Sequence, residues 1–157
     1  MNLEKYTHLA FFSGLCTVDI QLLSPFFAPQ TWVAGTVVFE QGDYADYLYL
    51  VVTGEMTIRY KPDDGPMMNI THVVPGGIFG WSAAIGNPTY TSGAVCALDT
   101  EVLRIRGVDL RMVFEKHSEL GKVILERLTA IIAERQQGQQ SRVNSMLANG
   151  MRQQPSN

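Results

Sequence analysis

Between Lys61 and Arg104 the chain contains no lysine or arginine. Any anion held by that stretch must rely on backbone amides or on a side chain from elsewhere. Cysteine is scarce as well. Cys16 and Cys96 lie far apart and match no metal-ligand spacing, which argues against a disulfide scaffold and for a reducing cytoplasm. Histidine is confined to His8, His72 and His117, with no pair at ligand spacing, so the sequence calls for no metal and no cofactor. No apolar run approaches the ~18 residues that a membrane span needs, and the segment through Leu15 has too short an apolar core for a signal peptide. The expectation is a soluble, cytoplasmic protein without membrane contact. A net charge of -3 leaves no chain-wide footprint for nucleic acid. There is no Ser-His-Asp order around a nucleophile elbow and no carboxylate pair in a supporting context, so no enzyme is read here.

What is present divides into three textures. Apolar residues at Leu3, Tyr6, Leu9, Ala10 and Phe12 predict a first helix, ended by Ser13-Gly14. Thr17 is read as the N-cap of a second helix, with Ile20, Leu22, Leu23 and Phe26 on its buried face. From Thr31 to Ile105 short β-rich segments alternate with glycine turns at Gly35, Gly42, Gly54 and Gly76-Gly77, which predicts a closed antiparallel roll or barrel. Helical periodicity returns over Val108–Phe114 and again from Ser118 to about Gln137, where Ile124, Leu128 and Ile131 follow a 4-3 step suited to a helix pair. The chain is thus expected to form one domain over 1–137 (roll about 30–106, long helix about 118–137). The polar tail over 138–157 is expected to be disordered.

The stretch Ile78–Ala97 carries the chemistry. Phe79-Gly80 opens it, the small residues Ser82, Ala83 and Ala84 form one helical turn, and Gly86-Asn87-Pro88 stops that turn. Tyr90, Thr91 and Ser92 then place three hydroxyls ahead of a strand.

These motifs, in this order, resemble the cyclic-nucleotide-binding domain of the catabolite-activator and anaerobic-regulator (Crp/Fnr-like) superfamily. The resemblance rests on Phe12-Ser13-Gly14-Leu15, on the turn Gly35 to Asp43, on Tyr47–Val51 leading to Gly54, and on Pro75–Gly80, and it covers roughly residues 9–137. It implies a jelly-roll-like β-roll with N-terminal helices and a long C-terminal helix. In nucleotide-binding members a Glu after Phe-Gly holds the ribose, and an Arg about ten residues later grips the cyclic phosphate. Here those positions are Trp81 and Thr91. Loss of two charge-assisted contacts of about 1.5–3 kcal/mol each weakens binding by roughly two to four powers of ten.

The implied pocket comprises Phe79, Gly80, Trp81, Ser82, Ala83, Tyr90, Thr91 and Ser92, with Arg127 of the long helix as a cation that could reach it. Trp81 reads either as a ring that stacks on a ligand or as a side chain that fills the nucleotide's place. Two functions stand side by side. One is a stand-alone ligand sensor in signal transduction, with an atypical cassette for an unidentified small molecule. The other is a degenerate domain kept for dimerisation or protein docking, with a homodimer formed through Ile124, Leu128 and Ile131. A third reading is the effector part of a transcription regulator. Direct DNA binding is not expected, because the polar residues after Gln137 are too few for a recognition helix and its support.

Overall fold

The computed structural model describes residues 2–133. The strands are β1 (Phe27–Trp32), β2 (Val37–Phe39), β3 (Tyr47–Thr53), β4 (Met56–Tyr60), β5 (Met68–Val73), β6 (Ile78–Phe79), β7 (Gly93–Cys96) and β8 (Thr100–Arg106). The helices are α1 (Thr17–Leu23), α2 (Ser82–Ile85), α3 (Gly107–Lys116) and α4 (118–133). The strands make two antiparallel four-stranded sheets, in the orders β1-β8-β3-β6 and β2-β7-β4-β5. This is the expected roll with helices at both ends.

The first expected helix is instead two 3-10 turns, Leu3–Tyr6 and Ala10–Phe12. The reason lies in the spacing. Leu3, Tyr6, Leu9 and Phe12 recur every third residue, which aligns on one side of a 3-10 turn rather than of an α-helix. β1 begins four residues before the expected Thr31 and runs through Pro29, which pairs with Leu103. Proline is tolerated there because β1 is an edge strand and need not donate on its open side. Cys16 and not Thr17 caps α1, and the His117 carbonyl accepts the first hydrogen bond of α4, from Gly121.

The sheet β1-β8-β3-β6 separates two apolar cores. Alternation along β3 and β8 sends Leu48, Leu50, Leu103 and Ile105 toward the helices, while Tyr49, Val51 and Val102 face into the roll. Gly54 turns β3 into β4 at φ 92°, and a Cβ on it would stand 2.7 Å from the Thr100 Cα, so glycine is required.

α4 folds back on its own chain. Leu120, Ile124 and Leu128 are buried in the same cluster as Leu3, Phe11, Phe12 and Ile20, with Ile131 half-buried against it. The contact is close: a Cβ on Gly121 would lie 2.7 Å from the Phe114 Cα of α3. With Ile131, the residues Ile124 and Leu128 are those expected at a dimer seam. Ile124 and Leu128 are 0% and 4% exposed within a single chain, because the N-terminal turns already cover them. Leu125, at 52%, is the large apolar residue that α4 leaves in water. The expected end of the helix at Gln137 and the tail over 138–157 lie outside the described residues.

The two thiols differ in environment. Cys16 is exposed, whereas Cys96 is buried in β7 and burial pushes its pKa up. Since the thiolate is the nucleophile, a thiol reagent at neutral pH should modify Cys16 promptly and Cys96 only after denaturant is added. Two fast equivalents in native protein would contradict the position of Cys96.

Candidate functional site

The cassette begins where β6 ends. Gly80 adopts φ 75°, and a Cβ on it would meet the Tyr47 carbonyl oxygen at 2.9 Å and the rings of Tyr49 and Tyr90 at 3.2 and 3.3 Å. No larger residue fits that crossing. α2 follows for a single turn, and Gly86 ends it in the left-handed region with its N–H on the Ser82 carbonyl. Ser82, Ala83 and Ala84 are buried because α2 packs closely on α3, where Arg111 Nη1 donates to the Ala83 carbonyl.

The loop after α2 is zipped onto the loop between β2 and β3. Gly42 N–H donates to the Tyr90 carbonyl at 2.9 Å, Tyr90 N–H to the Asp43 carbonyl at 2.9 Å, and Ala45 N–H to the Pro88 carbonyl at 3.0 Å. This ladder turns the Tyr90 side chain into the roll. Its ring stacks on Phe39 at 3.7 Å between centroids and 14° between planes. Phe39 in turn adjoins Tyr49 and Phe79, which stack on each other at 4.8 Å. The Tyr90 hydroxyl donates to the Tyr47 carbonyl at 2.6 Å and accepts from the Tyr47 N–H at 3.1 Å. Burial raises the Tyr90 phenol well above the ordinary tyrosine range, so it remains a neutral donor at any working pH.

The space left between this stack and the cassette is a cavity of about 10 Å³. That is room for about one water molecule. Small-molecule pockets usually measure ≈ 300–1,000 Å³.

Of the residues expected from sequence, Gly80, Trp81, Ser82, Tyr90, Thr91 and Ser92 line this cavity, joined by Phe39 and Ile58. Phe79 lies in the roll core, and Ala83 is turned to α3. Trp81 is half-buried and also packs against the helix-side cluster. Arg127 does not line the cavity: its Nη1 donates to the Ala10 carbonyl at 3.1 Å, which fastens α4 to the N-terminal turns. Arg59, opposite Gly93 across β4–β7, is ion-paired with Glu40 at 3.0 Å. Phe39 and Ile58 were not anticipated, although Phe39 is the aromatic of the Gly35–Asp43 turn. Among the described residues no group of three or more His, Cys, Asp or Glu could hold a metal, and no helix is long and apolar enough to cross a membrane.

Two antiparallel sheets closed into a roll, with a one-turn helix between the sixth and seventh strands and a helix pair after the eighth, define a β-roll class of fold with helices at both ends. The family described as "Cyclic nucleotide-binding domain" matches residues 29–117, and the chain belongs to it. It is 25% identical over 124 residues to the cyclic AMP receptor protein of Thermus thermophilus, a match that covers 79% of this chain and 56% of that protein. The chain thus spans little more than half the length of that relative. A putative cyclic nucleotide-binding protein from Geobacter metallireducens superposes with a TM-score of 0.76 at 27% identity, covering 86% of this chain and 98% of the other. A cyclic nucleotide-binding domain from Methylobacillus flagellatus shares the fold with a TM-score of 0.81 at 20% identity, covering 92% and 86%.

Proposed function

We propose that this domain is a regulatory module whose cassette is closed to cyclic AMP and cyclic GMP, and that it works through contacts with protein. The observation that carries the reading is the Tyr90 ring, stacked on Phe39 and tethered to both backbone groups of Tyr47, in a cassette that retains about 10 Å³. Charge argues the same way. Trp81 and Thr91 occupy the positions where the resemblance places the ribose-binding Glu and the phosphate-binding Arg, and the nearby Arg59 is already paired with Glu40. No catalytic role is assigned to any residue.

Titration calorimetry with both cyclic nucleotides tests this directly. Up to about 1 mM ligand, the limit of very weak binding, no heat beyond dilution is expected. A micromolar or tighter dissociation constant for either nucleotide would overturn the closed-cassette reading.

A second reading, a sensor for a different small molecule, draws on one observation: residues 85–89, which lead into Tyr90, are exposed. A ligand that displaced the Tyr90 ring would announce itself in a thermal-shift screen of aromatic metabolites, since saturation at 100 times the dissociation constant adds about 2.7 kcal/mol.

A further inference from the structure

We propose that the groove between the β2–β3 loop, the turn after α2 and the start of α3 is a docking site for an acidic segment of a partner protein. The proposal rests on the protein-contact reading above and gives it a surface.

The groove measures about 220 Å³, and its working residues are Tyr44, Asp46, Asn87, Arg106, Val108 and Arg111. Arg106 is exposed, and its side chain has neither a hydrogen bond nor an ion pair among the described residues. Arg111 spends Nη1 on the Ala83 carbonyl and meets no carboxylate among the described residues. Asp46 is the acidic residue of the groove; its backbone carbonyl accepts the Gly107 N–H at 2.9 Å, and its side chain is ion-paired with neither arginine. Two unpaired guanidinium groups against one carboxylate leave the groove positive on a chain whose net charge is -3. The rim is apolar: Tyr44 is 80% exposed, and Ile85 and Val108 are also in water. Tyrosine and arginine are among the residue types enriched where binding energy concentrates at protein interfaces.

The chemistry selects the occupant. Arginine favours carboxylates, which one guanidinium can hold through two parallel N–H donors. The groove is smaller than an ordinary small-molecule pocket, and its apolar rim continues outside it, which suits a peptide that lays an acidic side chain between the arginines and aliphatic neighbours on the rim. The chain beyond residue 133 is a poor match, with Glu134 its one acid against Arg135, Arg142 and Arg152. An occupant would touch three elements that hold the cassette, since Ala45 N–H bonds the Pro88 carbonyl and Arg111 the Ala83 carbonyl.

The test is fluorescence anisotropy on the full chain with a short labelled peptide of alternating Asp and Leu, and with its Asn-Leu counterpart. The Asp peptide should bind and the Asn peptide should not. Arg106→Glu should weaken binding at least ~10-fold, Tyr44→Ala should weaken it several-fold, and added salt should loosen it, as screened charges require. Both residues are exposed, so folding is not at issue. Absence of binding, equal binding of both peptides, or indifference to Arg106→Glu would overturn the proposal. Displacement by equimolar citrate would reassign the groove to small acids. Self-association of the wild type that Arg106→Glu abolishes would reassign it to a second copy, whose Asp63-Asp64 hairpin carries adjacent acids. The nucleotide calorimetry does not involve the groove. A peptide that fails while cyclic AMP also fails to bind removes only the groove, whereas cyclic AMP binding beside intact peptide binding removes only the closed cassette.

Discussion

Tyr90→Ala is expected to destabilise the domain by about 3–5 kcal/mol, the usual cost of deleting a buried aromatic ring, or a fall of order 10 °C in Tm for a chain of this size. The ring is 5% exposed and lies flat on Phe39, so its loss leaves a void that the rigid stack of Tyr49 and Phe79 cannot close. Tyr90→Phe separates packing from hydrogen bonding. It keeps the stack but leaves the Tyr47 backbone groups without the hydroxyl, for about 1–3 kcal/mol. The same residue governs recognition. Trp81→Glu with Thr91→Arg restores both charges yet leaves no room for a nucleotide, so the pair alone should remain silent toward cyclic AMP. Adding Tyr90→Ala to it should bring measurable heat in calorimetry. Micromolar binding by the double variant with Tyr90 intact, or an unchanged Tm for Tyr90→Ala, would remove Tyr90 from this role.

Leu128→Glu should be comparably severe, and severe in the isolated chain. Leu128 is buried among the N-terminal turns, and a carboxylate placed there has no partner, which typically costs more than 3 kcal/mol. Leu125→Glu, three residues earlier and exposed, should change stability by no more than ~0.5 kcal/mol. Thermal melts at two protein concentrations discriminate the possibilities. The Leu128→Glu loss should be the same at both. A variant that only lowers the sedimentation coefficient, with the monomer's melting temperature intact, would show that α4 pairs between chains through that face. If α4 does mediate association, Leu125→Glu is the change that should weaken it.

The roll could be read from the sequence because its signals are local. Glycines at Gly35, Gly42, Gly54 and Gly80 all take positive φ, and Tyr47–Val52 between them is the apolar run of a strand covered on both faces. The end of α2 was equally legible in Gly86-Asn87-Pro88. The occupant of the cassette was not. Tyr90 stands in a polar turn between Pro88 and Gly93 and reads as a loop hydroxyl; its burial comes from a ring far earlier in the chain and from backbone bonds to the 42–45 loop. Trp81, the larger ring, read in sequence either as a stacking or as a filling side chain, and the structure sets it partly against the helices. The single-chain contacts of the long helix were hidden for a related reason. Its apolar excess was real, but the residues that absorb it, Leu3, Phe11 and Phe12, belong to 3-10 turns whose docking no periodicity announces.

The partition formed by β3 and β8 has a mechanical consequence. Each strand lends alternate side chains to opposite sides, so Leu50 seats the helices while Tyr49 and Val51, its neighbours, seat the roll. A load placed on one side is borne by the same backbone that shapes the other. A shift of β3 or β8 would therefore displace side chains in both cores at once.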